Sequence, residues 1–164
     1  MVSGLLSPSE TLKDEHLYRA RVLLADDHKD FLAVAARLLQ PEFEVVKTVG
    51  DGQALLEEAA RLKPDILVVD ISMPLLNGIE AARQLRAAGS SAKIVFLTVH
   101  QDPEYVYAAI AAGAQGYVAK CQLATDLLLA LREALGGRSF ISPSISLETP
   151  MNSRIPKDRG GACG

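Results

Sequence analysis

Five side chains with reactive chemistry stand at the ends of short apolar runs in this sequence. Asp26 and Asp27 follow Arg21–Ala25, Asp70 follows Ile66–Val69, Thr98 lies near the end of 93–99, and Lys120 follows Gly116–Ala119. Taken singly, each has an ordinary use: an acidic pair caps a helix or makes a turn, threonine suits a strand, and lysine is usually a surface charge. Gathered in one place they suggest chemistry. Three carboxylates within a few ångströms repel one another, and a hard divalent cation relieves them; oxygen ligands suit magnesium, which keeps several waters. Such a site is expected to bind Mg²⁺. A metal held by two or three protein oxygens leaves room for phosphoryl oxygens, so the expected ligand is a phosphate. Lys120 would neutralise a second phosphoryl oxygen and the Thr98 hydroxyl would donate to a third. One carboxylate is then left to attack phosphorus and form an acyl phosphate, and the central run places Asp70 best for this.

The elements that would gather these residues are legible as alternating patterns. Apolar runs at 21–25, 44–49, 66–69, 93–99 and 116–119 read as strands. Between them, helical spacing covers Phe31 to Leu39, Gln53 to Leu62 with Asp51 as its cap, Gly78 to about Ala88, and a stretch from Pro103 to Gly113 opened by Asp102. Leu123, Leu127, Leu128, Leu131 and Leu135 share one face of a fifth helix that Gly136 and Gly137 terminate. Nearly all-apolar strands interleaved with helices predict an α/β fold, a doubly wound five-stranded parallel sheet covered on both faces. In such sheets the functional crevice lies beyond the carboxyl ends of the strands. All five residues fall there.

Composition sets the boundaries. The chain has 164 residues, 49% hydrophobic and 23% charged, which is one domain with a real core and some spare length. With 17 basic and 20 acidic residues the net charge is -3, unlike a protein devoted to covering phosphate backbones. Residues 1–18 read as a leader, 19–138 as the domain and 139–164, rich in proline and glycine, as a linker or tail. No run approaches the ~20 apolar residues of a membrane span and no signal pattern opens the chain, so a cytoplasmic protein is expected. Cys121 and Cys163 lack metal-ligand spacing, and reduced thiols are expected.

The acidic pair, the segment 70–78 (Asp-Ile-Ser-Met-Pro-Leu-Leu-Asn-Gly), Thr98 and the Gly-Tyr-Val-Ala-Lys segment ending at Lys120 resemble the receiver domain of bacterial two-component response regulators. The likeness covers about 19–138, and the segment 137–143 is similar to the receiver-to-linker junction of NarL/FixJ-type (LuxR-type) transcription factors. It implies a flavodoxin-like strand order 2-1-3-4-5. It also implies that Asp70 accepts a phosphoryl group from the phosphohistidine of a sensor histidine kinase. Asp26, Asp27, Asp70 and the Ser72 backbone carbonyl would hold Mg²⁺; Thr98 and Lys120 would bind the phosphoryl group; Thr98 and Tyr117 would be the switch pair. Ser72 and His100 occupy the two positions that tune hydrolysis of the acyl phosphate.

Three features depart from the common pattern. Cys121 stands where many relatives have proline, which puts the cis peptide usual there in doubt. The Ser72 and His100 pair leaves the phosphoryl lifetime open. No helix-turn-helix pattern follows Pro143, so DNA would be reached only through an output domain outside this sequence, or the domain acts as a stand-alone receiver through protein contact. Catalysis beyond self-phosphorylation and autodephosphorylation is not expected. An aspartyl-phosphate phosphatase would want a second acid at position 72, and a flavin carrier a glycine- and hydroxyl-rich loop where His28-Lys29-Asp30 stands. Tyr105, Tyr107 and the excess apolar positions Leu129 and Ala130 suggest a homodimer through the fourth helix, fifth strand and fifth helix.

Overall fold

The computed structural model describes residues 18–147. The chain alternates β1 (Arg21–Ala25), α1 (Lys29–Leu39), β2 (Glu44–Val49), α2 (Gly52–Leu62), β3 (Ile66–Val69), α3 (Gly78–Ala87), β4 (Lys93–Thr98), α4 (Pro103–Ala111), β5 (Gly116–Ala119), α5 (Leu123–Leu135) and β6 (Phe140–Ile141), with a 3-10 turn at Lys120–Gln122. The strands form one sheet in the order β2-β1-β3-β4-β5-β6, every pair parallel. The five expected strands are thus present in the expected order. A sixth, two residues long, extends the β5 edge where the sequence suggested only linker; Phe140-Ile141 is too short a run to carry a period.

Period-two alternation sends successive strand residues to opposite faces. Leu23, Leu67, Val69, Ile94, Phe96 and Tyr117 pack with Leu55 of α2, Ile79 and Leu85 of α3, and Val106 of α4. Val22, Leu24, Ile66, Val68, Val95, Leu97 and Val118 pack with Ala35 and Leu39 of α1 and Leu127 and Leu131 of α5. Both faces being covered explains why the strands are apolar throughout rather than alternating.

Local signals match the helix starts with one difference, at α4. Asp51 caps α2 by accepting from Ala54 N at 2.7 Å, and Asn77 caps α3 by accepting from Glu80 N at 2.8 Å. Asp102 holds the N-cap position of α4, with Pro103 next, but its side chain makes no capping bond. On α5 the buried face is Leu123, Leu127, Ala130, Leu131 and Ala134, while Leu135 is exposed; at 100° per residue the stripe passes through 134 rather than 135. Ala130 is therefore core, and of the two extra apolar positions only Leu129 faces outward.

Cys121 is disulfide-bonded, against the expectation of a reduced thiol; that expectation rested on there being too few cysteines for a disulfide scaffold, which does not exclude a bond made by tertiary contact. Cys163 and the leader residues 1–17 lie outside the described residues. No peptide bond among the described residues is cis, Lys120–Cys121 included, which agrees with the missing proline. No described helix is long and apolar enough to cross a membrane.

Candidate functional site

Parallel register builds the site. Ala25 pairs with Val69, so the residues that follow them, Asp26 and Asp70, leave the sheet side by side. Thr98 pairs with Ala119, which puts Lys120 at the same edge. Backbone bonds hold both acids in place: Asp26 N donates to Val49 O at 3.0 Å and Asp70 N to Ala25 O at 2.9 Å. Gly78 closes the floor. A Cβ there would lie 2.2 Å from Asp70 O and 2.8 Å from Val69 Cγ1, so only glycine lets the start of α3 approach the strand end.

The three carboxylates and Lys120 converge as the sequence anticipates. Asp26 and Asp70 are each 4% exposed and Thr98 is fully buried. Lys120 Nζ lies 2.7 Å from Asp26 Oδ2 and 3.3 Å from Asp70 Oδ2, and it stands 4.5 Å from the centre of the Phe31 ring. Asp27 is at the open rim. Ligand atoms of Asp26, Asp27, His28 and Asp70 all lie within 4.8 Å of one another. His28 was not anticipated as a member of this group. It is the N-cap residue of α1, its amide donates to Asp26 Oδ1 at 2.9 Å, and its Nδ1 is 3.1 Å from Asp26 Oδ1 and 3.2 Å from Asp27 Oδ1. The signal was its place directly after the acidic pair. Phe31, in the first turn of α1, was missed because it reads as core.

Burial pushes the Asp70 carboxyl above its ordinary value of 3.8; Lys120 pulls it down, Asp26 pushes it up, and the hydrogen bond from the Ser72 backbone lowers it. One ammonium thus serves two buried carboxylates with a third beside them. That donor set, three hard oxygen ligands with uncompensated negative charge, fits a small divalent cation.

The rim carries the remaining expected residues. Ser72 Oγ and His100 Nε2 are 2.7 Å apart, and the His100 ring stacks on Tyr105 with centroids 4.2 Å apart. His100 N donates to Thr98 Oγ1 at 3.2 Å. Tyr117 is 1% exposed, and its hydroxyl donates to His100 O at 2.8 Å; burial, followed by Asp102, Tyr105 and Asp70, raises its pKa, so it stays protonated and remains a donor. His100 therefore touches both members of the expected switch pair and one residue of the Asp70 loop.

The family model of the response regulator receiver domain matches residues 22–132. The chain belongs to this family. The receiver is 34% identical over 130 residues to the transcriptional regulatory protein DegU of Brevibacillus brevis, covering 78% of this chain and 55% of that protein. It is 34% identical over 129 residues to the nitrate/nitrite response regulator protein NarL of Escherichia coli K12, covering 77% and 60%. The receiver thus spans between half and two thirds of the length of these relatives. Among solved structures, a LuxR-family two-component response regulator from Aurantimonas sp. superimposes with a TM-score of 0.74 at 35% identity, covering 78% of this chain and 93% of that one. The isolated receiver domain of RcsB from Salmonella enterica serovar Typhimurium, in the presence of the phosphomimetic BeF3-, superimposes with 0.72 at 28% identity, covering 78% and 96%. The receiver is therefore that of a two-component response regulator of the LuxR/NarL type.

Proposed function

We propose that the receiver is a phosphorylation switch in which Asp70 takes a phosphoryl group from the phosphohistidine of a sensor histidine kinase. The observation that carries this reading is the Lys120 ammonium shared between the buried carboxylates Asp26 and Asp70, with Asp27 beside them. An Asp70 carboxylate oxygen attacks phosphorus, the phosphorus–nitrogen bond breaks, and its electron pair returns to the kinase imidazole; the product is an acyl phosphate. Lys120 exchanges a carboxylate for a phosphoryl oxygen, and the Thr98 hydroxyl donates to another. Asp26, Asp27, Asp70 and the Ser72 backbone carbonyl would hold Mg²⁺, which supplies positive charge against the phosphoryl oxygens.

Hydrolysis reverses the state when water attacks phosphorus and the Asp70 carboxylate leaves. Ser72 and His100, bonded to each other at the rim, govern that water's approach. Thr98 and Tyr117 carry the change outward, through His100, to α4, β5 and α5. The output is transcriptional, through a DNA-binding domain of the kind its longer relatives imply, with a homodimer on the α4, β5 and α5 face. Its chemistry is confined to its own phosphorylation and dephosphorylation, in the cytoplasm where such kinases present their histidine.

Intact-mass spectrometry after incubation with acetyl phosphate tests this. The wild type gains about 80 Da, one phosphoryl group, only with Mg²⁺ present, and Asp70→Asn gains nothing. Phosphate retained on Asp70→Asn, or incorporation indifferent to Mg²⁺, overturns the assignment.

A further inference from the structure

The cluster around Asp26, Asp27 and Asp70 has one member that the phosphoryl chemistry does not use, His28. Its place at the N-cap of α1 calls for a side chain that accepts from the first-turn amides, and the imidazole makes no such bond. The ring turns to the acids instead, with Nδ1 3.1 Å from Asp26 Oδ1 and 3.2 Å from Asp27 Oδ1. The backbone holds the residue there, since the His28 amide donates to the same Asp26 Oδ1 at 2.9 Å.

Two features separate this arrangement from an ordinary surface ion pair. The first is a division of oxygens. Lys120 takes Oδ2 of Asp26 and Oδ2 of Asp70, at 2.7 and 3.3 Å, and leaves the Oδ1 side of Asp26 to His28. The second is spacing. Two donor atoms ~2.1 Å from one octahedral cation and at right angles lie ~3.0 Å apart, and opposite donors ~4.2 Å apart. His28 Nδ1 stands close to the shorter distance from one oxygen of each of two carboxylates. With Asp70 included, donor atoms of all four residues lie within 4.8 Å of one another, little more than the longer distance.

We propose that His28 is a fourth protein ligand of this site and that it tilts the choice of cation from Mg²⁺ toward a first-row transition divalent ion that accepts imidazole. The inference rests on the cation-site reading given under the proposed function. Mg²⁺ prefers oxygen donors and gains little from a ring nitrogen, whereas affinity for nitrogen-containing sites rises along the divalent series that begins at Mn²⁺. The neutral tautomer with its hydrogen on Nε2 presents the Nδ1 lone pair, and the cation then takes the place between ring and carboxylates. The side chain is 67% exposed, so water supplies the partner that the other ring nitrogen of a ligating histidine requires.

The test uses the full chain with Mn²⁺ as the probe, the ion at the weak end of that series and one whose electron spin senses a directly bound nitrogen. Electron spin-echo spectroscopy is expected to show the nitrogen of a bound imidazole in the wild type and none in His28→Asn, a variant whose amide oxygen can cap α1 and so preserves the helix start. In competition titrations followed by the Mn²⁺ signal, His28→Asn is expected to lose ~10-fold in affinity for Mn²⁺ relative to Mg²⁺. Bound Mn²⁺ without the nitrogen signal in the wild type, or an unchanged Mn²⁺-to-Mg²⁺ preference in the variant, overturns His28 as a ligand and leaves the oxygen site intact. If neither ion binds the wild type, or both bind Asp70→Asn equally well, the cation-site reading falls and this inference falls with it.

Discussion

The two ends of the sheet handle internal charge in opposite ways. At the amino end of β4, Arg86 reaches in from α3, and its guanidinium donates to Ser90 O, Ala92 O and Gly113 O at 2.7 to 3.0 Å, with Gln115 Oε1 at 3.4 Å. Burial lowers its pKa, but its donors point at fixed carbonyl groups, and it staples α3 to the loops that lead into β4 and β5. At the carboxyl end, Asp26, Asp27 and Asp70 face one another with one ammonium between two of them. The first arrangement has its hydrogen bonds supplied and no reason to change. The second keeps like charges together at a cost that only an incoming cation and phosphoryl group would relieve. A charge used for stability is surrounded by opposite dipoles, whereas a charge used for switching is left short of them.

The sharpest way to break this contrast is to disturb the floor of the site without touching a charge. Gly78→Ala forces a methyl to within 2.2 Å of Asp70 O, against backbone that cannot yield. Overpacking of that kind costs about 3 kcal/mol and displaces Asp70, so chemical denaturation shows the loss and acetyl phosphate labelling falls with it. Next comes the staple. Arg86→Met keeps the stem and leaves the Ser90, Ala92 and Gly113 carbonyls without their donor, costing about 2 kcal/mol, while labelling of the folded fraction is unchanged. Equal labelling loss in both variants would erase the distinction between the two ends.

Asp70→Asn goes the other way, raising the melting temperature by a few degrees at neutral pH because a desolvated charge beside Asp26 is removed. Its pH dependence fixes the sign. The folded state raises the Asp70 pKa above 3.8, so it binds the proton more tightly than the unfolded chain. The ionised form therefore weakens the fold at neutral pH, and that penalty fades as pH falls through the folded pKa toward 3.8. The stability advantage of Asp70→Asn over wild type is expected to close on acidification, as thermal melts across that range would show. Glu42 supplies the opposite sign on the surface: hydrogen bonding to Arg132 lowers its pKa, so its small contribution is lost as pH falls below 4.5 through its folded value.

How much of this was legible in the sequence follows from what each feature depends on. Strands and helices were readable because burial on both sheet faces leaves unbroken apolar runs, and the five site residues were readable because each ends such a run. His28 joined the acidic cluster through the N-cap geometry of α1, and its residue type alone gave no reason to group it with the pair. Arg86 read as one charge on an amphipathic helix, since its carbonyl partners come from backbone that no side-chain pattern encodes. Ser142 was invisible for a related reason: its bonds to Asp126 and Ala119 span 16 and 23 residues and exist only once β6 lies along β5. Pairings made by tertiary contact carry no period.

The smallest effect concerns backbone strain, which falls on a non-glycine residue at both ends. Where the chain leaves α3 and α4 at the amino end, positive φ falls on Gly89 and Gly113, and where it leaves α2 it falls on Lys63, at φ 48°. In the loop after Asp70 it falls on Leu75, at φ 69°, with Leu76 N donating to Pro74 O across it at 2.7 Å; this is a three-residue turn of the strained, positive-φ kind. Leu75 is 80% exposed, so its side chain contributes little packing in return. Leu75→Gly removes the Cβ conflict but adds conformational freedom to the unfolded chain, and the two nearly offset, leaving a gain below about 1 kcal/mol. Denaturant titration should register that gain with labelling at Asp70 retained. A stability loss instead would mean that Leu75 contributes packing that offsets its strain, and that the site end stores its cost in charge alone.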